Sequence, residues 1–306
     1  VRIKVILNPY ANRWRAGGRL EELQAVLTAV SLSADIYSTT APGEGTAVAR
    51  QAATDYDAVI AAGGDGTINE VINGLIQAAG EGQTVPFGVL PIGTANDLSD
   101  TIPLPRDLAQ AAQNIAAAHT RPIDAVRVND HFFVNNCAIG MEPLVTLENI
   151  KIKRLSGNAR YFLALVRALA KLRAWQMDIR FDETTTSSGS AAGSATFSGP
   201  AILLSVCNGP RTGGIFQMAP GAQFDDGYFD YVFAPDMPKR TVLALLPRLF
   251  KGTHIQHPKV QHGRARRITI TCQPGTPIHA DGELIAEAAT QIEYELLPGK
   301  VRLLAP

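Results

Sequence analysis

Along residues 1–120, short apolar runs alternate with stretches whose apolar side chains recur every three to four positions. Residues 2–7, 34–39, 56–62 and 86–91 read as strands, and 56–62 and 86–91 lack a polar face, as buried parallel strands do. Helical spacing marks 18–30 (Leu20, Leu23, Val26, Leu27, Val30) and 68–79 (Ile68, Val71, Ile72, Leu75, Ile76); alanine-rich 46–54 and 108–118 read as helices too. Strand–helix alternation of this kind predicts a doubly wound α/β domain, a parallel sheet with helices on both faces.

Beyond Ile123 the period changes. Residues 125–128, 131–137, 176–181, 201–207, 228–233, 268–272 and 291–296 are short strand candidates, rich in aromatic and β-branched residues and broken by Gly, Pro and Asn. They predict an antiparallel β-sandwich with two inserted helices, 158–175 and 239–250. The small polar stretch 183–199 reads as a long flexible hairpin connection. Residues 1–123 are thus expected to form one domain, completed by 299–306 if 301–304 returns to it as a strand, and 124–298 the other.

A chain of 306 residues with 46% hydrophobic and 18% charged content suits two soluble globular cores. Zero net charge gives no basic field for nucleic acid, so no nucleic-acid partner is expected. Val5-Ile6-Leu7 is too short for a signal peptide's apolar region, and no run reaches the ~20 apolar residues of a membrane-spanning helix. Cys137, Cys207 and Cys272 lie far apart without metal-site spacing, as buried thiols in a reducing compartment would. The expectation is a cytoplasmic protein.

Three elements carry chemistry. Gly63-Gly64-Asp65-Gly66-Thr67-Ile68-Asn69-Glu70-Val71 follows a strand and opens a helix, the geometry that brings bare backbone N–H groups to a phosphate. Asp65 would repel a polyphosphate unless a cation intervened, so the stretch predicts a magnesium nucleotide. One strand later, Gly93-Thr94-Ala95-Asn96-Asp97 forms a second glycine turn, on the same sheet edge if the strands are parallel. The third element is remote: Ile278-His279-Ala280-Asp281-Gly282-Glu283. In isolation its Asp-Gly is an ordinary hairpin turn.

In this order and spacing, together with Asn8-Pro9, Ile123-Asp124, Phe133-Val134-Asn135, Asn208-Gly209 and Asp225-Asp226-Gly227, the three elements resemble the diacylglycerol kinase catalytic-domain family. Its soluble bacterial members are the nearest in flavour; sphingosine and ceramide kinases are more distant. The resemblance implies an active site in the cleft between the two domains. It implies ATP bound by Asn8, Thr39, Gly63, Gly64, Asp65, Gly66, Thr67, Asn69, Gly93 and Thr94, with Asp65, Asp97 and Asp124 organising magnesium and water. Asp281 and Glu283 match the acidic pair that includes the general base. A structural magnesium is implied at Asp226 through its carboxylate, with the backbone carbonyls of Gln223 and Tyr228. Where the family has a glycine after Asn8-Pro9, this chain has Tyr10-Ala11-Asn12-Arg13-Trp14-Arg15, and Arg13 and Arg15 are candidate phosphate ligands.

The implied activity is transfer of the ATP γ-phosphate to a hydroxyl of a membrane lipid such as diacylglycerol or phosphatidylglycerol. The alternatives are another acceptor (a sphingoid base or NAD) or a non-catalytic lipid- or nucleotide-binding protein. Lys151, Lys153, Arg154, Arg160, Arg167, Lys171 and Arg173, interleaved with apolar residues, and the stretch 239–251 predict a face for anionic membrane, hence peripheral association. A homodimer is left open.

Overall fold

The computed structural model describes residues 2–10, 17–93, 97–152, 155, 157–185 and 191–306. They divide into two compact units: 1–125, 132–134 and 297–306 form the first, and 126–131 with 135–296 the second. Strands β5 (Thr120–Val128) and β13 (Glu283–Leu304) each contribute to both units.

In the first unit, β1 (Arg2–Leu7), β2 (Ser33–Ser38), β3 (Ala58–Gly63) and β4 (Phe87–Pro91) are parallel in the order β4-β3-β1-β2. The end of β13 joins beside β4, with Leu303 opposite Phe87. Every residue of β3 is buried, which is why that run carries no polar face. Helices α1 (Leu20–Ala29) and α5 (Leu108–Ala117) cover Val5, Ile60 and Leu90 through Leu23, Leu27, Ala111 and Ile115. Helix α3 (Asp65–Ala79) latches α2 (Glu44–Asp55): Glu70 accepts the N–H groups of Gly43 at 2.8 Å and Gly45 at 2.9 Å, filling the first turn of α2. The short α4 (Asp97–Thr101) follows β4.

The second unit is antiparallel. Its strands are β7 (Asn136–Gly140), β8 (Trp175–Thr185), β9 (Ala191–Cys207), β10 (Phe229–Pro235), β11 (Gln261–Ala265) and β12 (Arg267–Ala280), with the start of β13 and, across the boundary, β6 (His131–Phe133). Strand β9 is shared: its first half pairs with β8, and its end lies between β7 and β10, Cys207 facing both Asn136 and Asp230. Helices α6 (Met141–Lys151), α7 (Gly157–Lys171) and α8 (Lys239–Leu249) complete the unit.

Two sequence expectations change. Most of 183–199 is paired strand, with Thr196 opposite Arg180 and Ser198 opposite Asp178. Ser194, Thr196 and Ser198 are exposed on the sheet, where Ser198 donates to Asp178, so their polarity marks a strand face turned to solvent. Helix α6 escapes the periodicity because it carries only a weak apolar stripe and Pro143 in its first turn, a position that tolerates proline.

Candidate functional site

The first unit gathers its site residues at the carboxyl ends of its strands. Gly64 caps α3 in an extended conformation and offers no side-chain oxygen, so no side chain of the cap covers the first turn. The helix starts at Asp65, three positions earlier than its apolar spacing shows, and Asp65 is half-buried in that turn. Thr67 is buried. The second glycine turn packs directly on the first: Gly93 N–H donates to the Gly63 carbonyl at 2.9 Å. A Cβ on Gly93 would stand 2.3 Å from Gly64 Cα, so only glycine lets the two backbones come this close. Asn8 lies beside the end of β3, its N–H on the Ala62 carbonyl at 3.0 Å, and its side chain accepts the Tyr10 N–H at 3.0 Å in a local turn. Thr39 is buried next to it, its N–H on the Leu7 carbonyl at 2.9 Å.

Asn69 and Asp124 have structural contacts as well. Asn69 is buried and donates to the Phe132 carbonyl at 3.2 Å, beside Asn73, which holds both the carbonyl and the N–H of Phe132. Asp124 is buried and accepts the Gly299 N–H at 2.7 Å, tying β5 to β13 inside the first unit. Thr94, Asn12, Arg13 and Arg15 lie outside the described residues. Asp97 opens α4, its side chain likewise outside them.

In the second unit, Asp281 and Gly282 form the two-residue turn between β12 and β13, with φ of 46° and 86°. Positive φ at both positions is what a tight hairpin turn demands; glycine meets it freely and aspartate tolerates it. The same Asp281 uses its carboxylate: Oδ1 accepts the N–H groups of Asn135 at 3.1 Å and Asn136 at 2.9 Å. One residue thus makes the turn and, through its carboxylate, holds two backbone N–H groups of the neighbouring strand start. Glu283 is exposed at the first position of β13. Burial pushes the His131 imidazole below its usual range, with the Asp281 charge acting against that shift. Asn136 and His131 carry no motif of their own; only the fold shows their place around Asp281.

Residues 2–128 match the diacylglycerol kinase catalytic domain, and 135–305 match the YegS C-terminal NAD kinase beta sandwich-like domain. The chain belongs to the diacylglycerol kinase catalytic-domain family. As a member it is a lipid kinase. It is 28% identical to a diacylglycerol kinase of Staphylococcus saprophyticus over 284 residues, 92% of this chain and 88% of the relative. With a diacylglycerol kinase of Bacillus subtilis it shares 29% over 285 residues, 92% of this chain and 89% of the other. The crystal structure of a diacylglycerol kinase from Bacillus anthracis superposes with a TM-score of 0.76 at 24% identity, covering 100% of this chain and 97% of that one, which establishes the fold.

The loop where the resemblance implies a structural magnesium carries two adjacent carboxylates, Asp225 and Asp226. Asp226 Oδ1 accepts the Tyr228 N–H at 3.1 Å, and Oδ2 is bound by Arg264 Nη2. The Arg264 and Arg266 guanidinium groups lie 4.8 and 4.6 Å from the Tyr228 ring centre. Behind the loop, burial raises the carboxyl of Asp230 to about 7, with Arg264 opposing the rise and Asp226 adding to it. No cluster of three or more metal-ligating side chains occurs among the described residues. An oxygen set of one carboxylate and main-chain carbonyls still suits a hard cation, which takes such ligands together with water.

Proposed function

We propose that this lipid kinase transfers the γ-phosphate of ATP to a hydroxyl of a membrane lipid such as diacylglycerol or phosphatidylglycerol. The observation that carries the reading is the stacking of Gly93 on Gly63 and Gly64 at the uncapped start of α3, which leaves backbone where phosphates approach a helix N-terminus. Asn8 and Thr39 flank that turn. Magnesium, when bound, supplies charge neutralisation on the phosphates; Asp65 and Asp97 are the carboxylates of the two turns that would hold it. An alkyl hydroxyl is a weak nucleophile, and Asp281 accepts its proton as the O–P bond forms. The hydrogen bonds from Asn135 and Asn136 fix Oδ1, which sets the direction of the rest of the carboxylate. Glu283, two residues on, orients the base or the metal. A second magnesium held by Asp226 and the Gln223 and Tyr228 carbonyls has a purely structural role.

The acceptor sits in a bilayer, and the second unit has a surface suited to one. Helix α7 exposes Tyr161, Phe162 and Val166; Phe216 lies 6.1 Å from the Tyr161 ring and 5.1 Å from that of exposed Phe250. Part of the basic set is engaged inside the unit: Lys151 and Lys171 bind buried Glu148, Arg160 holds the Asn149 carbonyl, and Lys239 holds that of Ala170. Exposed Arg167, Arg240, Arg248 and Lys251 remain on or beside α7 and α8 to meet anionic lipid, at ~1 kcal/mol each. Lys153 and Arg154 lie outside the described residues. No helix among the described residues is long and apolar enough to cross a membrane.

Incubation with labelled ATP, magnesium and a total lipid extract, followed by identification of the labelled species, tests the reading. A phosphorylated lipid is the expected product, and labelling only of NAD or a sphingoid base would replace it. Sedimentation with anionic but not neutral vesicles is expected for the membrane face; equal sedimentation with both would remove it.

A further inference from the structure

Buried polar atoms in folded proteins nearly always have a hydrogen-bonding partner, so a group of exceptions in one place calls for a missing one. The second unit holds such a group. His279 on β12 and Glu142 in the first turn of α6 face each other with Nε2 and Oε2 3.4 Å apart, their side chains only 6% and 13% exposed. Glu142 Oε1 and both ring nitrogens of His279 are buried without a hydrogen bond among the described residues. The pair belongs to two well-placed elements: His279 is opposite Ala138 of β7, and α6 follows directly on β7 through Gly140.

Glu142 acts electrostatically on Cys137, Cys207, Tyr161 and Tyr294, groups that burial keeps protonated. Tyr161 is 37% exposed on the aromatic face, and burial, helped by the charge of Glu142, pushes its pKa to about 12. A carboxylate oxygen needs a donor, and an imidazole N–H needs an acceptor. A hydroxyl, like water, is a small uncharged group that meets both needs at once, whereas an ammonium only donates and a phosphate would meet the Glu142 carboxylate as a like charge.

We propose that Glu142 and His279 seat a second hydroxyl of the acceptor, beside the one that is phosphorylated. His279 lies near the end of β12, two residues before Asp281 in the turn that follows, so a reacting alcohol at Asp281 and a neighbouring alcohol at His279 belong to one short headgroup. The acceptor class is then a lipid with vicinal hydroxyls, as in a monoacylglycerol or a glycerol headgroup. The inference rests on the lipid-kinase reading for the role of Asp281, but the seat can be tested by binding alone.

Calorimetric titration of the full chain with soluble monooctanoylglycerol and with dihexanoylglycerol, which has one hydroxyl, makes the comparison. Tighter binding of the diol by tenfold or more is expected. Glu142→Gln and His279→Gln should abolish that preference by weakening the diol alone, while Asp281→Asn retains it. Equal affinity for the two lipids, or a preference that survives both substitutions, would overturn the proposal, as would failure of the wild-type chain to bind the diol. The wild-type comparison needs no variant, so misfolding of either one leaves the test intact. Phosphorylation of single-hydroxyl lipids with no diol preference would sink the seat and spare the kinase; a diol preference without phosphoryl transfer would do the reverse.

Discussion

Asp281 and Asn136 are joined by a reciprocal pair of hydrogen bonds: the Asp281 N–H donates to the Asn136 carbonyl at 2.7 Å, and the Asn136 N–H donates to Asp281 Oδ1 at 2.9 Å. The strand end of β7 and the β12–β13 turn therefore share one carboxylate as their anchor. Asp281→Asn keeps an oxygen for the two N–H groups and tolerates the left-handed backbone, so its melting temperature should stay near wild type. Its turnover should fall on the order of 10²–10⁴. Asp281→Ala should also destabilise, by about 1–3 kcal/mol, because two partly buried donors lose their acceptor. Kinetics beside thermal melts separate the two variants, and near-normal turnover of the asparagine variant would remove Asp281 as the base.

Gly93 is the second test. A methyl group there meets main-chain atoms, Gly64 Cα at 2.3 Å and Gly63 O at 3.0 Å, and neither can rotate away. Gly93→Ala should cost about 1–3 kcal/mol and weaken nucleotide binding at least tenfold. Gly18→Ala, whose Cβ would meet nothing within 4 Å, is the matched control and should change neither. Calorimetric ATP binding with chemical denaturation reads both quantities. Unimpaired ATP binding by Gly93→Ala would argue against phosphates at these turns.

Glu44 predicts a pH dependence. The Thr40 N–H and then the Tyr37 hydroxyl hold its carboxylate down, to about 2 from the ordinary 4.5. A folded-state pKa below the unfolded one means stability that is present above pH 4.5 and lost as pH falls through 2. Glu44→Gln should therefore flatten the acid limb of the stability curve within that window and leave the neutral region parallel to wild type. Denaturation midpoints from pH 2 to 7 check this. Identical acid limbs would show that the contacts around Glu44 do not persist in solution.

Magnesium should raise the melting temperature of the wild-type chain, and chelation should lower it, if Asp226 holds a structural ion. Asp226→Asn should abolish that response. Arg264→Gln should enlarge it, since the guanidinium now shares the carboxylate. Scanning calorimetry with magnesium or chelator measures the shift; an equal response in Asp226→Asn would place the ion elsewhere.

Much of the architecture can be read from spacing, because buried parallel strands such as 58–63 have no polar residues to confuse the pattern. What escapes is set by contacts between distant segments. The strand pairing of 193–199 depends on β8, not on its own small polar residues. Asp281 is recognisable as a motif residue, but its hold on Asn135 and Asn136 spans 145 or more positions and has no local signature. Glu142 and His279 are silent for the same reason: each is an ordinary residue until β7 and β12 bring the pair together. Arg264 likewise reads as one more base in a basic run until Asp226 is seen beside it.

Residues 297–306 have a bearing on how the molecule is made. They lie in the first unit, where Gly299 satisfies Asp124, Lys300 holds the carbonyls of Gly80 and Gly82, and Leu303 pairs with Phe87. During synthesis the first unit must wait, with one edge of its sheet open, until some 170 residues of the other unit have left the ribosome. The half made first is thus the half finished last, and a chain interrupted anywhere before Leu297 yields no completed enzyme.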